Sequence, residues 1–567
     1  MRLPLVPTLG LALATGLLSY PLLLAAPSLP YGSDLAFAAQ SARGFVQGLQ
    51  EGQLYPRWVE ASNLGFGGPT FIFYPPIAYY AVALASAVTG DVLVGLGVVL
   101  IFAGLLSGIT FYLAFREPTS EIAATIGAGL YMLAPYHVLD AYWRFALAEH
   151  VAFIWFPLLL LFARRVIDGA GWRSVGGLAA SYAGLVMTHL VTAYMVLMIL
   201  APYAVVLMAR SRSWHRAGHL AAGGVLALLC SGIYLVPIIA QRDQVHLQWV
   251  RDAHYGDFRR NFAYRNERLL GYSWAPIKPF INRCVTAQGA LALTAGAAFL
   301  WCRRRRTDRP GAVAWEAGAH GILSVWTFFM QIPASLLVWR WVPELETIQF
   351  PWRFGVFQAL SACALTSLAI AAWIAAWGGD RARWTVERWA SAVMLALAVL
   401  PLLWVTHELQ WVRPMIFDTR RALHPAVSGR PMLEYIPLGV VRWREFKDLV
   451  PQQVPALELL GPGSTDVVFW GSHRREARVH APDPVTLRMR TFVYPGWTAR
   501  VDGEVVPIRP GGPFDTIQLR VPSGEHRVEL EFEPTHDRLL GRAISAMGVL
   551  ALIALLVGAR LRRAHST

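Results

Sequence analysis

The chain has 567 residues, of which 55% are hydrophobic and 15% are charged, and its mean hydropathy is +0.42. Repeated apolar stretches of about 18 or more residues, long enough to cross a bilayer, predict a polytopic membrane protein rather than a soluble domain. The net charge of +14 comes almost wholly from arginines in short runs between these stretches, a pattern that sets membrane orientation, so we expect no nucleic-acid partner.

The cysteines and the known catalytic motifs narrow the chemistry. Cys230, Cys284, Cys302 and Cys363 are scattered along the chain, so the sequence predicts neither a zinc site nor a disulfide framework. It contains no P-loop, no glycine-rich dinucleotide fingerprint, and no metalloprotease or serine-hydrolase motif. These absences count against nucleotide-driven transport, hydride transfer and ordinary hydrolase chemistry.

The apolar stretches predict about twelve transmembrane helices. They lie at residues 5–26, 92–114, 121–139, 150–165, 174–191, 193–209, 219–239, 286–301, 316–338, 354–377, 389–406 and 540–559. We interpret the first as an uncleaved span, because no small-residue cleavage site clearly ends it and further spans follow.

Residues 71–90 form the ambiguous stretch, since they are apolar and nearly long enough to span. If they do not span and the N-terminus is cytoplasmic, the arginine clusters at 164–173, 210–216, 303–306, 381–388 and 560–563 all lie on the cytoplasmic side, as the positive-inside rule requires. Pro75 and Pro76 also disfavour a regular helix start there. We therefore place a first loop, 27–91, outside the membrane, with 77–89 as an interfacial or re-entrant helix.

The polar block at 407–539 is expected on the same external face. From residue 478 it alternates polar and apolar residues, interrupted by VDGE and PSGE turns, which predicts antiparallel strands joined by tight hairpins in a small β-sandwich-like domain. Tyr494 and Trp497 could stack on sugar rings or could belong to the sandwich core. The predicted domains are thus a membrane domain at 1–406, this β domain at 407–539, and a last helix with a basic tail at 540–567.

Two carboxylates are the candidate catalytic groups. Asp34 opens the first external loop and Glu149 ends the second, immediately before an apolar run. Ionisable residues at membrane depth are costly and are therefore candidates for function. The pair could act as a general base or hold a divalent cation. Alternatively, Asp34 could cap the helix that follows it, and Glu149 could pair with Arg144.

Arginines and aromatic residues surround these carboxylates in the predicted external loops. Arg57, Arg144 and Arg353 could bind the phosphate of a polyprenyl-phosphate lipid through their planar guanidinium groups, or could snorkel at the interface. Further residues could line a substrate site, although the aromatic ones also suit an ordinary interfacial belt. These residues are Tyr55, Trp58, Asn63, Tyr74, Tyr142, Trp143, His137, Asp140 and His189.

The overall arrangement resembles the GT-C superfamily of integral-membrane glycosyltransferases: one span, a long external loop opening with Asp, many further spans, and an external C-terminal domain. Four segments look more specifically like bacterial membrane proteins labelled "pyruvoyl-tetrahydropterin synthase-related": GLQEGQLYPRW, NLGFGGPTFIFYPPIAYY, APYHVLDAYWRFALAEH and ETIQFPWRF. The label is not taken as an activity, because the soluble synthase needs a zinc-binding histidine cluster that this sequence does not offer at suitable spacing.

The resemblance implies an enzyme of the bacterial plasma membrane, and the arginine distribution predicts that both termini are cytoplasmic. It would transfer a sugar from a polyprenyl-phosphate carrier at the external face to a lipid-linked or cell-surface glycan, with Asp34 as base and Glu149 as the second acid. Membrane lipids, the lipid-linked sugar and a glycan or lipid acceptor would be its partners, with a divalent cation as an open alternative. A rival interpretation is a non-catalytic lipid-linked-glycan transporter or assembly scaffold on the same fold.

Overall fold

The computed structural model describes residues 5–25, 33–246, 256–265, 277–304, 311–376, 435–440, 454–512 and 514–564. Helices make up most of its first 376 residues, and strands follow from Leu457 onward. The predicted span 389–406 and the boundary at residue 407 lie outside the described residues.

The helices, in chain order, are as follows. They are α1 (Leu5–Ala25), α2 (Leu35–Gln50), α3 (Ile77–Thr89), α4 (Val92–Phe115), α5 (Glu121–Met132), α6 (Leu147–Ala152), α7 (Trp155–Ile167) and α8 (Trp172–Val186). They continue with α9 (Leu190–Ser211), α10 (Ala217–Cys230), α11 (Gly232–Gln241), α12 (Ile277–Arg304), α13 (Ala312–Gln331), α14 (Leu336–Trp341), α15 (Gly355–Ala376) and α16 (His536–Ala564).

The helices confirm a polytopic membrane protein. Among the described residues, seven helical segments are long and apolar enough to cross a membrane, or nine if each of two sharply bent pairs counts as one span. The bent pairs are α10 with α11, at 73°, and α13 with α14, at 89°. Helix α8 has 15 residues and is shorter than its predicted span, because the chain becomes extended at His189 before α9 begins.

Helix α3 occupies 77–89, as predicted, and its 13 residues are too few to cross a bilayer alone. Gly90 ends it in the left-handed conformation, and Asp91 caps α4 by accepting hydrogen bonds from the backbone of Leu93 and Val94. A Cβ atom on Gly95 would lie 2.5 Å from the Ser86 hydroxyl, so α3 folds back closely along α4.

A buried ion pair ties four helices of the bundle together. Arg164 of α7 donates to the Glu316 carboxylate of α13 at 3.2 Å and to the Ala114 carbonyl of α4. Tyr203 of α9 donates to the same Glu316 oxygen. Glu316 is 1% exposed, and such a pair is costly to break from one side because the partner keeps an uncompensated buried charge.

We therefore expect Glu316→Leu to lower the free energy of unfolding by about 3 kcal/mol, since it leaves Arg164 buried and unpaired. Glu117 provides a matched control, because it also contacts Arg164, at 3.9 Å, but its side chain is 45% exposed. Glu117→Leu should cost less than about 1 kcal/mol. Reversible unfolding in mixed micelles measures both values, and equal losses would contradict the burial argument.

The C-terminal domain consists of two antiparallel sheets that share one apolar core. The strands are β1 (Leu457–Leu460), β2 (Ser464–Trp470), β3 (Arg474–Ala481), β4 (Val485–Phe492), β5 (Trp497–Val501), β6 (Glu504–Val506), β7 (Arg509–Gly511), β8 (Thr516–Val521) and β9 (Gly524–Phe532). One sheet has the order β1-β4-β8-β7 and the other β2-β3-β9-β5-β6. Inward positions of β4, β8 and β9 alternate with outward ones, as predicted.

The VDGE segment is a hairpin turn between β5 and β6, as predicted, with Asp502 and Gly503 both left-handed. Two other details of this domain differ from the sequence prediction. The PSGE segment is not a hairpin, because it carries the chain from β8 in one sheet to β9 in the other. The strands also begin earlier than residue 478, since the edge strand β2 is mostly exposed and carries a bulge near Val467, which removes the alternating pattern.

Candidate active site

The chain between α5 and α6 is irregular and places three charged side chains together. After a short turn at Pro135–Val138, residues Leu139–Arg144 form a π-helix, and Phe145 then adopts a left-handed conformation with φ of 54°. Single turns of π-helix occur often at functional sites. The geometry brings Asp140 and Arg144 beside Glu149, which lies in the first turn of α6.

Arg144 is the centre of this cluster, and its side chain is 3% exposed. Its Nη1 atom donates to Asp140 Oδ1 at 2.5 Å and to Glu149 Oε2 at 2.7 Å. Its Nη2 atom lies 3.8 Å from Asp34 Oδ2, and its guanidinium lies 5.1 Å from the centre of the Trp352 ring. One planar guanidinium therefore contacts all three carboxylates.

Glu149 is held from both sides. The Tyr136 hydroxyl donates to Glu149 Oε1 at 2.8 Å, and Arg353 Nε lies 3.5 Å from Glu149 Oε2. The side chain of Glu149 is 1% exposed, whereas that of Arg353 is 12% exposed. Arg353 also donates to the Ile348 carbonyl at 3.0 Å, so its guanidinium is fixed at the edge of the cluster.

Asp34 differs from the other two carboxylates because it is open to solvent. Its backbone N–H donates to the Arg144 carbonyl at 2.8 Å, which fixes the residue beside the cluster. It occupies the N-cap position of α2, yet its side chain makes no capping hydrogen bond. The carboxylate accepts from the Ser33 hydroxyl at 2.8 Å and its side chain is 38% exposed. The capping interpretation therefore does not explain its carboxylate.

Two further predicted residues lie beside this cluster. Tyr74 packs edge-on against Phe37 with ring centres 4.9 Å apart. Shielding from water, together with the nearby charges of Asp34 and Glu149, raises the pKa of Tyr74 above its usual range. His189, at the start of α9, is 8% exposed, bonds to the Thr192 hydroxyl at 3.0 Å, and lies within electrostatic range of Glu149 and Arg353.

Comparison with known proteins assigns the chain to a family. The sequence model of a family described as "6-pyruvoyl-tetrahydropterin synthase related domain; membrane protein" matches residues 71–406. The chain belongs to this family. The match includes Asp140, Arg144, Glu149 and Arg353, whereas Asp34 precedes it. No curated protein matches the sequence.

Two solved structures are distantly similar to this chain. The structure titled ArnT from Cupriavidus metallidurans bound to undecaprenyl phosphate is 12% identical, with a TM-score of 0.35, and the match covers 64% of this chain and 77% of that one. The oligosaccharyltransferase AglB from Archaeoglobus fulgidus, in complex with an inhibitory peptide and a dolichol-phosphate, is 14% identical with a TM-score of 0.42. That match covers 71% of this chain and 55% of AglB, so the family member spans about half of the AglB chain.

Three other residues predicted for the site have partners outside the cluster. His137 bonds to the Tyr131 carbonyl at 2.5 Å and stacks on Phe153 at 3.5 Å, fully buried. The Tyr142 hydroxyl donates to the Leu18 carbonyl of α1. Trp143 packs near Phe280 of α12, with ring centres 5.5 Å apart.

Four residues predicted for the site, all in the loop 27–91, contact the β domain, neighbouring helices or other residues of the loop itself. Trp58 is 0% exposed and packs into the β-domain core with Tyr494 and Trp497, so of the two interpretations of Tyr494 and Trp497 the structure supports the sandwich core. Arg57 donates to the Phe71 and Ile233 carbonyls at 3.3 and 2.8 Å. Arg57 is therefore satisfied within the protein and does not face the cluster.

The other two residues of this group, Tyr55 and Asn63, contact residues close to them in the sequence. The Arg57 guanidinium lies 3.5 Å above the Tyr55 ring, and burial raises the pKa of Tyr55 to about 12. Asn63 donates to the Gly67 carbonyl at 2.9 Å within a left-handed turn. Tyr55, Trp58 and Asn63 were predicted to line the substrate site and Arg57 to bind the lipid phosphate, whereas the structure shows all four in contact with other parts of the protein.

Two residues of the cluster, Tyr136 and Trp352, were missed by the sequence analysis. Both lie in segments that carry the family resemblance, APYHVLD and QFPWRF, directly after a proline. A proline at the first position of a short helical turn fixes the direction of the next side chain. The proline before Tyr136 and before Trp352 is therefore the sequence feature from which both could have been predicted.

The cluster does not fit a cation bridging Asp34 and Glu149, because the Arg144 guanidinium lies between the two carboxylates. Both Glu149 oxygens already have partners in Arg144, Arg353 and Tyr136. Over the described part of the chain, no group of three or more His, Cys, Asp or Glu side chains could hold a metal ion.

Proposed function

We propose that this protein is a membrane glycosyltransferase that uses a polyprenyl-phosphate-linked sugar and modifies a lipid-linked or cell-surface glycan. The observation that carries the proposal is one cluster with two open groups: the solvent-open, non-capping carboxylate of Asp34, which contacts Arg144, and the partly exposed, phosphate-compatible guanidinium of Arg353, which contacts Glu149. A base and a phosphate ligand at one end of a membrane bundle suit transfer from a lipid phosphate. The arginine distribution favours the external face of the plasma membrane for this site.

In the proposed reaction, Asp34 takes the proton from an acceptor hydroxyl. The oxygen of that hydroxyl attacks the anomeric carbon, and the bond from this carbon to the phosphate oxygen breaks. The electron pair leaves with the polyprenyl phosphate, whose charge Arg353 stabilises. Attack opposite the leaving group inverts the anomeric configuration.

Arg144 and Glu149 have a positioning role in this proposal, which revises the sequence expectation for both. Arg144 already contacts Asp34, Asp140 and Glu149 and is buried, so it has little capacity left for a phosphate. It holds Asp34 in orientation through the 3.8 Å contact between Arg144 Nη2 and Asp34 Oδ2. Glu149 in turn orients Arg144 and Arg353.

The proposal is tested in cells from which the gene has been deleted. A transferase predicts an envelope glycan that lacks one sugar, restored by the wild-type gene but not by Asp34→Asn at equal expression. A transporter or scaffold predicts accumulation of the complete lipid-linked glycan and full rescue by Asp34→Asn. Mass spectrometry of the extracted glycan distinguishes these outcomes, and the second would overturn the proposal.

Arg353→Lys provides a sharper test of the phosphate ligand. The substitution keeps the charge but loses the planar fork, so we expect the KM for the lipid-linked donor to rise about tenfold with a smaller change in kcat. Arg340→Lys is the matched control, because Arg340 is an exposed arginine of α14, and it should leave both constants unchanged. An unchanged KM in Arg353→Lys would remove Arg353 from donor binding.

A further inference from the structure

The first external loop and the β domain are joined by a chain of polar contacts centred on His473. The backbone N–H of Arg57 donates to His473 Nε2 at 3.1 Å, and that of Trp58 points to the same atom at 3.5 Å. His473 Nδ1 lies 2.9 Å from the Ser472 hydroxyl, which donates to Glu51 Oε2 at 2.8 Å. Ser472 is 0% and His473 is 5% exposed.

These contacts require a neutral imidazole. Because Nε2 accepts from a backbone N–H, the ring proton must reside on Nδ1, where it donates to Ser472. A second proton on Nε2 would face the Arg57 N–H and destroy that hydrogen bond. The contact between loop and β domain thus depends on the protonation state of one side chain.

The charged groups around His473 also oppose its protonation. Arg57 of the first loop, Arg475 of β3 and Arg538 of α16 are all nearby, and Glu51, at the end of α2, is the acidic group that faces it through Ser472. Burial, followed by the charges of Arg538, Arg57 and Arg475, lowers the pKa of His473 to about 3. The loop stays docked as long as His473 remains neutral.

Both segments docked in this way lead back to the candidate site. Helix α2 has Asp34 at its N-cap and Glu51 at its C-cap, so Ser472 fixes the far end of the helix that begins at the catalytic candidate. The Arg57 guanidinium bonds to the Phe71 carbonyl. Ile72 and Phe73 pack in the β-domain core, and Tyr74 follows at the site.

We propose that His473 and Ser472 are positioning residues, which dock the first external loop on the β domain, hold Asp34 and Tyr74 in place, and release them when His473 is protonated. The consequence for catalysis rests on the proposed function, whereas the docking itself does not.

The sign of the pH effect follows from linkage. A histidine whose pKa is depressed in the docked state binds more protons in the undocked state, so docking weakens as pH falls below the ordinary histidine value. At pH 5.0 the docked histidine is still neutral, because this pH is above its pKa, whereas the undocked histidine has become protonated. The equilibrium constant for docking therefore falls about 30-fold between pH 7.5 and pH 5.0.

Hydrogen exchange on the full chain in lipid nanodiscs measures this without any substrate. After correction for the intrinsic pH dependence of exchange, protection of the Arg57 and Trp58 amides should fall about 30-fold from pH 7.5 to pH 5.0. In His473→Gln, whose amide oxygen can still accept from Arg57 but does not titrate, protection should no longer depend on pH. Equal protection of the wild type at both pH values would overturn the proposal.

His526→Gln is the matched control. His526 lies in the same domain but is paired with Asp502 at 2.6 Å near the surface, and this hydrogen bond raises its pKa. The substitution should leave the pH dependence at Arg57 and Trp58 intact. Loss of that dependence in His526→Gln, or its persistence in His473→Gln, would assign the effect to another group. Since no step requires turnover, failure of this test is distinguishable from failure of the transferase proposal.

Discussion

Asp34→Asn is expected to reduce kcat for sugar transfer by about 1,000-fold, because the amide retains the shape of the side chain but cannot accept the acceptor's proton. The fold should be nearly unaffected, since the carboxylate is 38% exposed and its ion pair to Arg144 is long, at 3.8 Å. The measurement is the rate of polyprenyl-phosphate release by the purified variant and wild type, beside their unfolding midpoints.

Asp91→Asn controls for the loss of a carboxylate, because Asp91 caps α4 and its Oδ1 accepts from the backbone N–H groups of Leu93 and Val94. It should retain full transfer activity, since Asn also caps helices well. Wild-type kcat in Asp34→Asn would eliminate Asp34 as the base, whatever the structural role of the cluster.

Arg144→Met is expected to abolish transfer. It should also lower the free energy of unfolding by about 3–5 kcal/mol. The substitution leaves Asp140 and Glu149, which are 0% and 1% exposed, as buried carboxylates without their main partner. Chemical unfolding in mixed micelles measures the change in free energy. Arg144→Lys should recover only part of it, because an ammonium cannot contact three carboxylates in one plane.

A triple variant separates stability from function in this cluster. Arg144→Met combined with Asp140→Leu and Glu149→Leu removes the charges together, and such replacements are often neutral or stabilising. The triple variant should therefore be more stable than Arg144→Met alone and still inactive. Recovery of activity along with stability would show that the cluster serves only the fold.

Much of the fold was predictable from the sequence because bilayers impose simple rules. Apolar length located the helices, and Pro75, Pro76 and the arginine distribution led to the prediction of a short helix at 77–89, where the structure has the 13-residue helix Ile77–Thr89. Alternation located the later strands of the β domain. The edge strand β2 was not predicted, because an exposed, bulged strand has no buried face to impose alternation.

The candidate site was predictable in part. Asp34, Arg144, Glu149 and Arg353 were all identified, since charged residues at membrane boundaries are conspicuous. Their roles were not, because roles depend on tertiary contacts: Arg144 looked like a phosphate ligand until three carboxylates were found on it. Trp58 looked like a sugar platform until it was found in the β-domain core.

The π-helix at Leu139–Arg144 explains why sequence spacing alone misleads here. A regular helix would continue its register from Asp140, whereas the π-helix and the left-handed Phe145 redirect the chain so that Glu149 returns to Arg144. The sequence indicates neither feature. No residue pattern marks the π-helix, and Phe rarely adopts the left-handed conformation, so its presence does not predict one. Local backbone irregularity, rather than composition, therefore determines the arrangement of the cluster.

The most direct test of the central claim is product analysis with the purified wild-type chain in nanodiscs and a labelled polyprenyl-phosphate-linked sugar. We predict that each polyprenyl phosphate released is matched by one sugar on the acceptor, with inverted anomeric configuration, and that Asp34→Asn binds the donor with unchanged affinity but releases almost none. Tight donor binding by the wild type with no release would contradict the account and favour a transporter or scaffold.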